Sequence, residues 1–411
     1  MKEEESVDGG RIEIIGNLID LASFKNVPQL EVEVYGETLK LTRKWIVRGV
    51  VRSCTIEVRR YVDAEKFALM LGLYRADGLK KYERVRFTNK DPLLHRWFIE
   101  PLKEMGVRKF LAYCYYCYCE KCGQEKLKNA IRRFEEITGV KVIRRYQRKL
   151  AHNPLFITDI NSKPLAIFIK HAERMLRKQI AHGNVPKHIA SKYIRGVLEG
   201  DGGLNVRIKE GKADGAYLLV FETDNEAIKD ILIIFERYFS IRLRVYPEGH
   251  IINGRQMKSI SLDNLLKLLL NNLIPDKYLD KVVKRMTIAL RRKGTPWILL
   301  RIFESFKNRW FSSKEASEIL SKPRHHTLEK LKELEKKKYL VSTKKKIKNN
   351  HPGTPIRRLF RLTKKGKKVV KILYSLPPFS SNFFTLSFTL IRIIRKSSIT
   401  DSCNPCVMVE R

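Results

Sequence analysis

The chain has 411 residues, with 83 Lys and Arg against 44 Asp and Glu, a formal net charge of +39 and 43% apolar residues. That apolar content builds ordinary cores, which excludes a disordered polycation, and the length allows two to four domains. A folded chain with so large an excess repels itself, so a polyanionic partner is expected, a ribosome-associated or generally basic thermophile protein being the plainer alternative.

No apolar run is long enough to span a bilayer: Leu265–Leu270 and Phe383–Ile394 are short or carry charges. The opening "MKEEESVDGG" is acidic and lacks the apolar core of a secretion signal. Seven unevenly placed cysteines make no secreted disulfide framework. A cytoplasmic protein away from membranes is therefore expected.

Residues 1–60 read as a β-rich N-terminal extension, in which "LEVEVYGETLKLTRKWIV" alternates apolar and polar residues around a Gly turn. Asp63 then caps a helix, "AEKFALMLGLYRADG", that stops on Asp77-Gly78. A second helix follows Pro186, carries Ile189, Ile194, Val197 and Leu198, and stops within "YIRGVLEGDGG". Gly202 can supply its left-handed cap, but Asp201 sets a negative charge at the negative end of the helix dipole. That costs about 0.3–1 kcal/mol unless a cation answers it.

The odd ending occurs twice. "MLGLYRADG" (70–78) and "IRGVLEGDG" (194–202) superpose without a gap, 124 residues apart. Downstream, "FTNKDPLLHRWFIEPLKEMG" (87–106) matches "FETDNEAIKDILIIFERYFS" (221–240) at an offset of 134, the extra residues falling in "RIKEGKADGAYLLVF". Further strands, "KFLAYCYYCY" and "IRLRVYP", and closing helices over 162–176 and 261–273 complete each copy. Both copies read α-β-β-α-β-β-α, over 61–180 and 181–293, giving an α+β fold of two pseudo-symmetric repeats.

The character changes near "RRKGTP". Helix "WILLRIFESFKN", helix "SSKEASEIL" with a capping box from Ser312 to Glu315, and helix "HHTLEKLKELEKKKYL" precede a basic hairpin and a last helix. Three helices and a basic β-hairpin predict a winged helix-turn-helix over 294–377, where 23 Lys and Arg face 6 Glu. Residues 378–411 show no pattern and are expected to be a disordered tail.

Gly72 and Ala76 lie four apart on one helix, and Gly196 and Gly200 hold the same places on the other. Small residues at that spacing form one stripe, along which two helices can cross closely. Crossing there brings Asp77 and Asp201 side by side at two negative helix ends. A hard divalent cation, Mg²⁺ or Mn²⁺, relieves the repulsion and is suited to phosphodiester hydrolysis.

These paired segments resemble the signature of the LAGLIDADG homing endonucleases, specifically single-chain members with two repeats, over roughly residues 61–290. The resemblance implies saddle-shaped antiparallel sheets in successive major grooves of double-stranded DNA, with Asp77 and Asp201 as metal ligands beneath the scissile phosphates. It also places Lys90 where archaeal relatives carry a catalytic-site lysine, although a phosphate contact or a solvated lysine at a helix start serves equally; the second copy has Asp224 and Asn225 there.

DNA-facing positions recur with period two along strands, as Arg84 and Arg86 do in the first copy and Arg207, Lys209, Arg242 and Arg244 in the second. In the C-terminal unit Arg324, His325, His326 and Lys330 open the expected recognition helix, and Lys344, Lys345, Lys346 and Lys348 fall in the wing. Cys114, Cys117, Cys119 and Cys122 are spaced too tightly for the usual structural zinc loop, so a buried or redox-paired role is favoured over zinc. Cys403 and Cys406 are read the same way.

The reading is a monomeric, Mg²⁺-dependent, site-specific DNA endonuclease. Its rivals are a non-cleaving transcriptional regulator joining a decayed LAGLIDADG fold to a helix-turn-helix, and a maturase acting on intron RNA. Retention of both aspartates favours the nuclease. Intein excision is disfavoured, since the chain lacks a starting cysteine or serine and a terminal His-Asn.

Overall fold

The computed structural model describes residues 11–79, 84–117, 123–148, 153–200, 203–209, 212–221, 225–242, 251–252, 255–259, 262–279, 282, 295–346 and 356–374. The chain forms two compact units: Met1–Leu204 with Tyr217–Ser259 and Leu273–Asp276, and Asn205–Ala216 with Ile260–Asn272 and Lys277–Arg411. No described helix is long and apolar enough to cross a membrane.

The first unit begins with β1 (Ile14–Ile15) and β2 (Leu18–Asp20), followed by an antiparallel sheet of β3 (Glu31–Tyr35), β4 (Thr38–Val47) and β5 (Val50–Arg59). Strand β6 (Tyr61–Asp63) returns to pair with β2. Asp20 fixes this return: it accepts from the Ala22 amide at 2.9 Å and takes three bonds from Arg60, 2.8 and 3.0 Å at Nε and 2.5 Å at Nη2. Burial pushes the Asp20 carboxyl up, but Arg60 and the amide outweigh it and hold it below the usual range.

Helix α1 (Ala64–Asp77) starts where expected, with the Asp63 side chain accepting from the Lys66 amide at 2.8 Å. Strand β7 (Val85–Asn89), α2 (Pro92–Glu104), β8 (Leu111–Tyr116), α3 (Gln124–Thr138), β9 (Val142–Gln147), β10 (Leu155–Ile160) and α4 (Lys163–His182) follow. Their sheet runs β7-β10-β8-β9. Here the expected all-antiparallel order is corrected: β8 and β9 pair in parallel, and α3 is the crossover between them. Parallel neighbours require such a connection of a dozen or more residues, whereas a hairpin does not.

Helix α5 (Lys187–Gly200) leads to β11 (Gly203–Lys209), β12 (Lys212–Phe221), α6 (Asn225–Phe239), β13 (Ile251–Ile252), β14 (Arg255–Ser259) and α7 (Leu262–Leu270), the element order expected of this stretch. Strands β12 and β14 pair antiparallel from Tyr217↔Ser259 to Phe221↔Arg255. The strand expected in "IRLRVYP" is corrected in part: Ile241 and Arg242 lie outside any strand, and the rest lies outside the described residues. The core of the first unit is made of Phe67, Met70, Leu71 and Leu73 from α1, Phe168, Ile169 and Leu176 from α4, and Ile189, Tyr193 and Ile194 from α5.

The second unit contains α8 (Thr295–Phe306), β15 (Phe311–Ser312), α9 (Ser313–Leu320), α10 (Arg324–Lys336), β16 (Leu340–Lys346), β17 (Ile356–Leu362) and α11 (Lys364–Tyr374), its sheet running β15-β17-β16. The capping box forms as read, with the Glu315 carboxylate accepting from the Ser312 amide at 2.7 Å. Phe306, Phe311 and Phe360 stack through the middle, the first pair at 4.3 Å between ring centroids. The tail over 378–411 lies outside the described residues.

Candidate paired-acid site

Helix α1 is buried nearly all round: nine of its 14 residues are buried, which makes it a central rather than a surface helix. Two central helices can meet only if their backbones approach, and the glycines make that approach. A Cβ on Gly72 would lie 2.2 Å from the Tyr193 carbonyl oxygen, and one on Gly196 would lie 2.3 Å from that of Leu69. Both distances are far inside van der Waals contact, so α1 and α5 touch backbone to backbone. Gly72 of α1 and Gly196 of α5 lie at this contact.

Near the C-terminal ends a Cβ on Gly200 would meet the Ala76 Cβ at 2.5 Å and Asp77 Oδ2 at 3.2 Å. The Asp77 carboxylate thus lies against the last residue of α5, one position before Asp201. Asp201 and Gly202 themselves lie outside the described residues. On α1, Gly78 is extended (φ −79°) and returns its amide to the Tyr74 carbonyl at 2.9 Å. A side chain there would collide with that carbonyl and the Tyr74 ring, which is why glycine follows the acid.

One contact at the acid was not read from the sequence. Asn89, the last residue of β7, donates from Nδ2 to Asp77 Oδ2 at 2.5 Å. Lys90, the residue singled out there, is the exposed neighbour; the side chain that reaches Asp77 is that of Asn89. Asn89 is held from behind, since its carbonyl meets His95 Nε2 at 3.1 Å while His95 Nδ1 meets Thr158 Oγ1 at 2.8 Å. Burial between Phe87 and Phe134 lowers the His95 pKa to about 4, so the ring is neutral at pH 7.

Two buried ionic groups brace α5. Tyr193 donates to Glu173 Oε1 of α4 at 2.7 Å, and Glu173 is paired with Arg177, which also holds Asp230 of α6. Further along α5, Arg195 donates from Nε to Glu199 at 2.6 Å and from Nη2 to Asp276 at 3.0 Å.

The expected DNA readers divide. Arg84, just before β7, and Arg86 on it are both paired to the buried carboxylate of Asp159, at 3.2 and 2.7 Å. Both are half-exposed and neutralise an acid on the neighbouring strand β10. Arg242 is exposed and paired with Glu236 at 2.6 Å. Arg207 and Lys209 lie on β11, without described side chains, and Arg244 lies outside the described residues.

In the second unit Arg324, His325, His326 and Lys330 are all exposed on the first turns of α10. Lys330 pairs with Glu333 at 2.7 Å, and His326 lies 3.7 Å from Glu329. Lys344 is exposed on β16; Lys345 and Lys346 follow on the same strand without described side chains, and Lys348 lies outside the described residues. Cys114 is buried on β8, where burial pushes its thiol up to about 11, and Cys117 is half-buried. A thiol so raised is a poor metal ligand. Cys119, Cys122, Cys403 and Cys406 lie outside the described residues.

No family model and no curated protein matches the chain. Similar solved structures include the N-terminal LAGLIDADG domain of DUF199/WhiA, at TM-score 0.31 and 13% identity over 52% of this chain and 85% of that one. Mesophilic variants of the homing endonuclease I-DmoI are similar at TM-score 0.25 and 13% identity, over 50% of this chain and 93% of theirs. An I-DmoI variant in complex with its target DNA and manganese is similar at TM-score 0.26 and 15% identity, over 51% and 98%. At these values the functional reading rests on the geometry of this chain's own site.

Proposed function

We propose that the chain is a site-specific double-strand DNA endonuclease built on two LAGLIDADG repeats, working with a divalent cation between Asp77 and Asp201. The observation that carries this reading is the Asp77 carboxylate set against Gly200, the residue that precedes Asp201. An all-oxygen donor set at a negative helix end fits a hard cation. Bound there, Mg²⁺ or Mn²⁺ supplies an activated water and neutralises charge on the attacked phosphodiester.

The chain's own residues do the rest. Asn89 fixes the rotation of the Asp77 carboxylate, and the neutral His95 holds Asn89 in place. The basic residues of the two repeats, Arg84, Arg86, Arg207, Lys209, Arg242 and Arg244, are the expected contacts to duplex DNA. Residues 294–377 act as a winged helix: α10 enters the major groove with Arg324, His325, His326 and Lys330, and the basic β16–β17 hairpin tracks the backbone. That unit adds affinity and leaves the chemistry to the paired acids. The chain works as a monomer, since both acids come from one polypeptide.

Incubation with a plasmid library, with and without Mg²⁺, followed by sequencing of the ends tests the reading. Wild type should cut at a defined site only with metal; Asp77→Asn and Asp201→Asn should each abolish cutting while binding is retained. DNA that is shifted but never cut would assign a regulator instead, and preferential retention of intron RNA would assign a maturase.

A further inference from the structure

The paired-acid reading gives no task to the N-terminal sheet, yet one part of that sheet is built to reach outward. Strand β3 pairs with β4 only as far as Glu31↔Thr42. Strands β4 and β5 continue alone from Arg43↔Cys54 to Val47↔Val50. Five residue pairs at about 3.4 Å each make a two-stranded arm about 17 Å long. Its tip is a two-residue turn in which Arg48 (φ +50°) and Gly49 (φ +77°) both take left-handed backbone, the geometry that matches strand twist.

The arm's side chains are unusual for a surface. Ile46, Val47, Val50 and Val51 are 72%, 36%, 60% and 65% exposed. The register puts Ile46 opposite Val51 and Val47 opposite Val50, so both faces of the tip are apolar. Around them stand Arg43, Lys44, Arg48 and Arg52, and no acid occurs between Thr38 and Ile56. Lys44 is tied to Glu31 at 2.8 Å. The side chains of Arg48 and Arg52 are exposed and make no hydrogen bond or ion pair among the described residues.

An exposed apolar hairpin tip is an aggregation hazard unless something covers it. The local charge selects a polyanion as the cover. The width of a two-stranded ribbon matches the major groove of B-DNA, and apolar side chains there meet thymine methyls. We propose that the Arg43–Cys54 arm is a second DNA-contacting element. Arg48 and Arg52 meet phosphates, and Ile46, Val47, Val50 and Val51 meet base edges flanking the sequence held by the rest of the chain. The choice of duplex DNA as partner rests on the proposed function; the arm's geometry does not.

The test uses the full chain, an Arg48→Ser/Arg52→Ser variant and an Ile46→Thr/Val51→Thr variant, whose β-branched replacements keep the strand. Binding to a mixed-sequence duplex is followed by fluorescence anisotropy across a salt series. Loss of two phosphate contacts should flatten the slope of log K against log salt by about 1.8, at 0.9 per contact. The threonine variant should bind about tenfold more weakly at every salt concentration, with the slope unchanged. If wild type binds and both variants match it, the arm is not a DNA element, while the nuclease reading stands. If wild type does not bind duplex at all, the DNA reading falls and the arm's role with it. Unchanged DNA binding with lost adhesion to phosphatidylserine vesicles, or with lost self-association, overturns the proposal in favour of those occupants.

Discussion

Replacing Gly196 by alanine sets two opposed effects against each other at one atom. In an exposed helix the change is favourable, by about 0.8–1 kcal/mol of helix propensity. Here the added methyl would lie 2.3 Å from the Leu69 carbonyl oxygen, 2.8 Å from the Leu73 nitrogen and 3.0 Å from the Gly72 carbonyl carbon. All three neighbours are backbone, so no rotamer change relieves the clash. The helices must part by about 1 Å, which forfeits a large fraction of every contact along the crossing.

Overpacking in cores costs about 1–3 kcal/mol, and a collision with rigid backbone belongs at the upper end. After subtraction of the propensity gain the variant should be less stable by about 2 kcal/mol. For a unit of this size that is a fall of about 4–8 °C in Tm. Urea titration read by hydrogen exchange at α1 and α5 amides isolates the first unit. Gly72→Ala, whose methyl would meet the Tyr193 carbonyl oxygen at 2.2 Å, should behave alike. The double variant should lose less than the sum, because helices already parted admit the second methyl. A Gly196→Ala protein as stable as wild type would mean that propensity wins and that the backbones do not touch.

Two further outcomes follow from the buried polar groups. His95 has a folded pKa of about 4 against an ordinary 6.5, so the unfolded chain takes up the proton first as pH falls. Its contribution is complete above pH 6.5 and is lost progressively down to pH 4, about 3 kcal/mol in all. His95→Gln should remove that slope from urea unfolding measured at pH 7 and pH 4, and an unchanged slope would exclude His95 as its source. Arg177→Met leaves Glu173 and Asp230 without their shared cation and should cost about 3–5 kcal/mol. Adding Glu173→Gln should restore part of the loss in thermal melts, and a double variant worse than the single would contradict the pairing.

What the sequence showed was local. Asp63 and Ser312 cap their helices because a polar side chain before an apolar run has an amide two or three residues on to bond. The glycine stripe was legible because the same spacing occurs twice. What it hid was tertiary. Period-two arginines look alike whether they face DNA or an acid, and the acid that Arg86 meets, Asp159, lies 73 residues away. Asn89 beside Lys90 offered no charge to attract attention, though it ends the strand that runs past Asp77. The parallel pairing of β8 and β9 was hidden because the stretch that forms the crossover helix α3 was not read as a helix.

The site is also where local preference is violated most. Gly72 and Gly196 sit in helix interiors at about 1 kcal/mol each relative to alanine. Asp77 stands at the negative end of α1, an arrangement unfavourable by about 0.3–1 kcal/mol. These penalties are not scattered; they fall along a single crossing and converge where Gly200 meets Asp77. Packing alone explains the glycines, since two buried helices can pair without any acid nearby. It does not explain an acid at the end of the stripe, where asparagine would cap the turn without opposing the dipole. Local rules broken together at one point are the pattern expected of a functional site, and the cation proposed there would answer the carboxylate's charge.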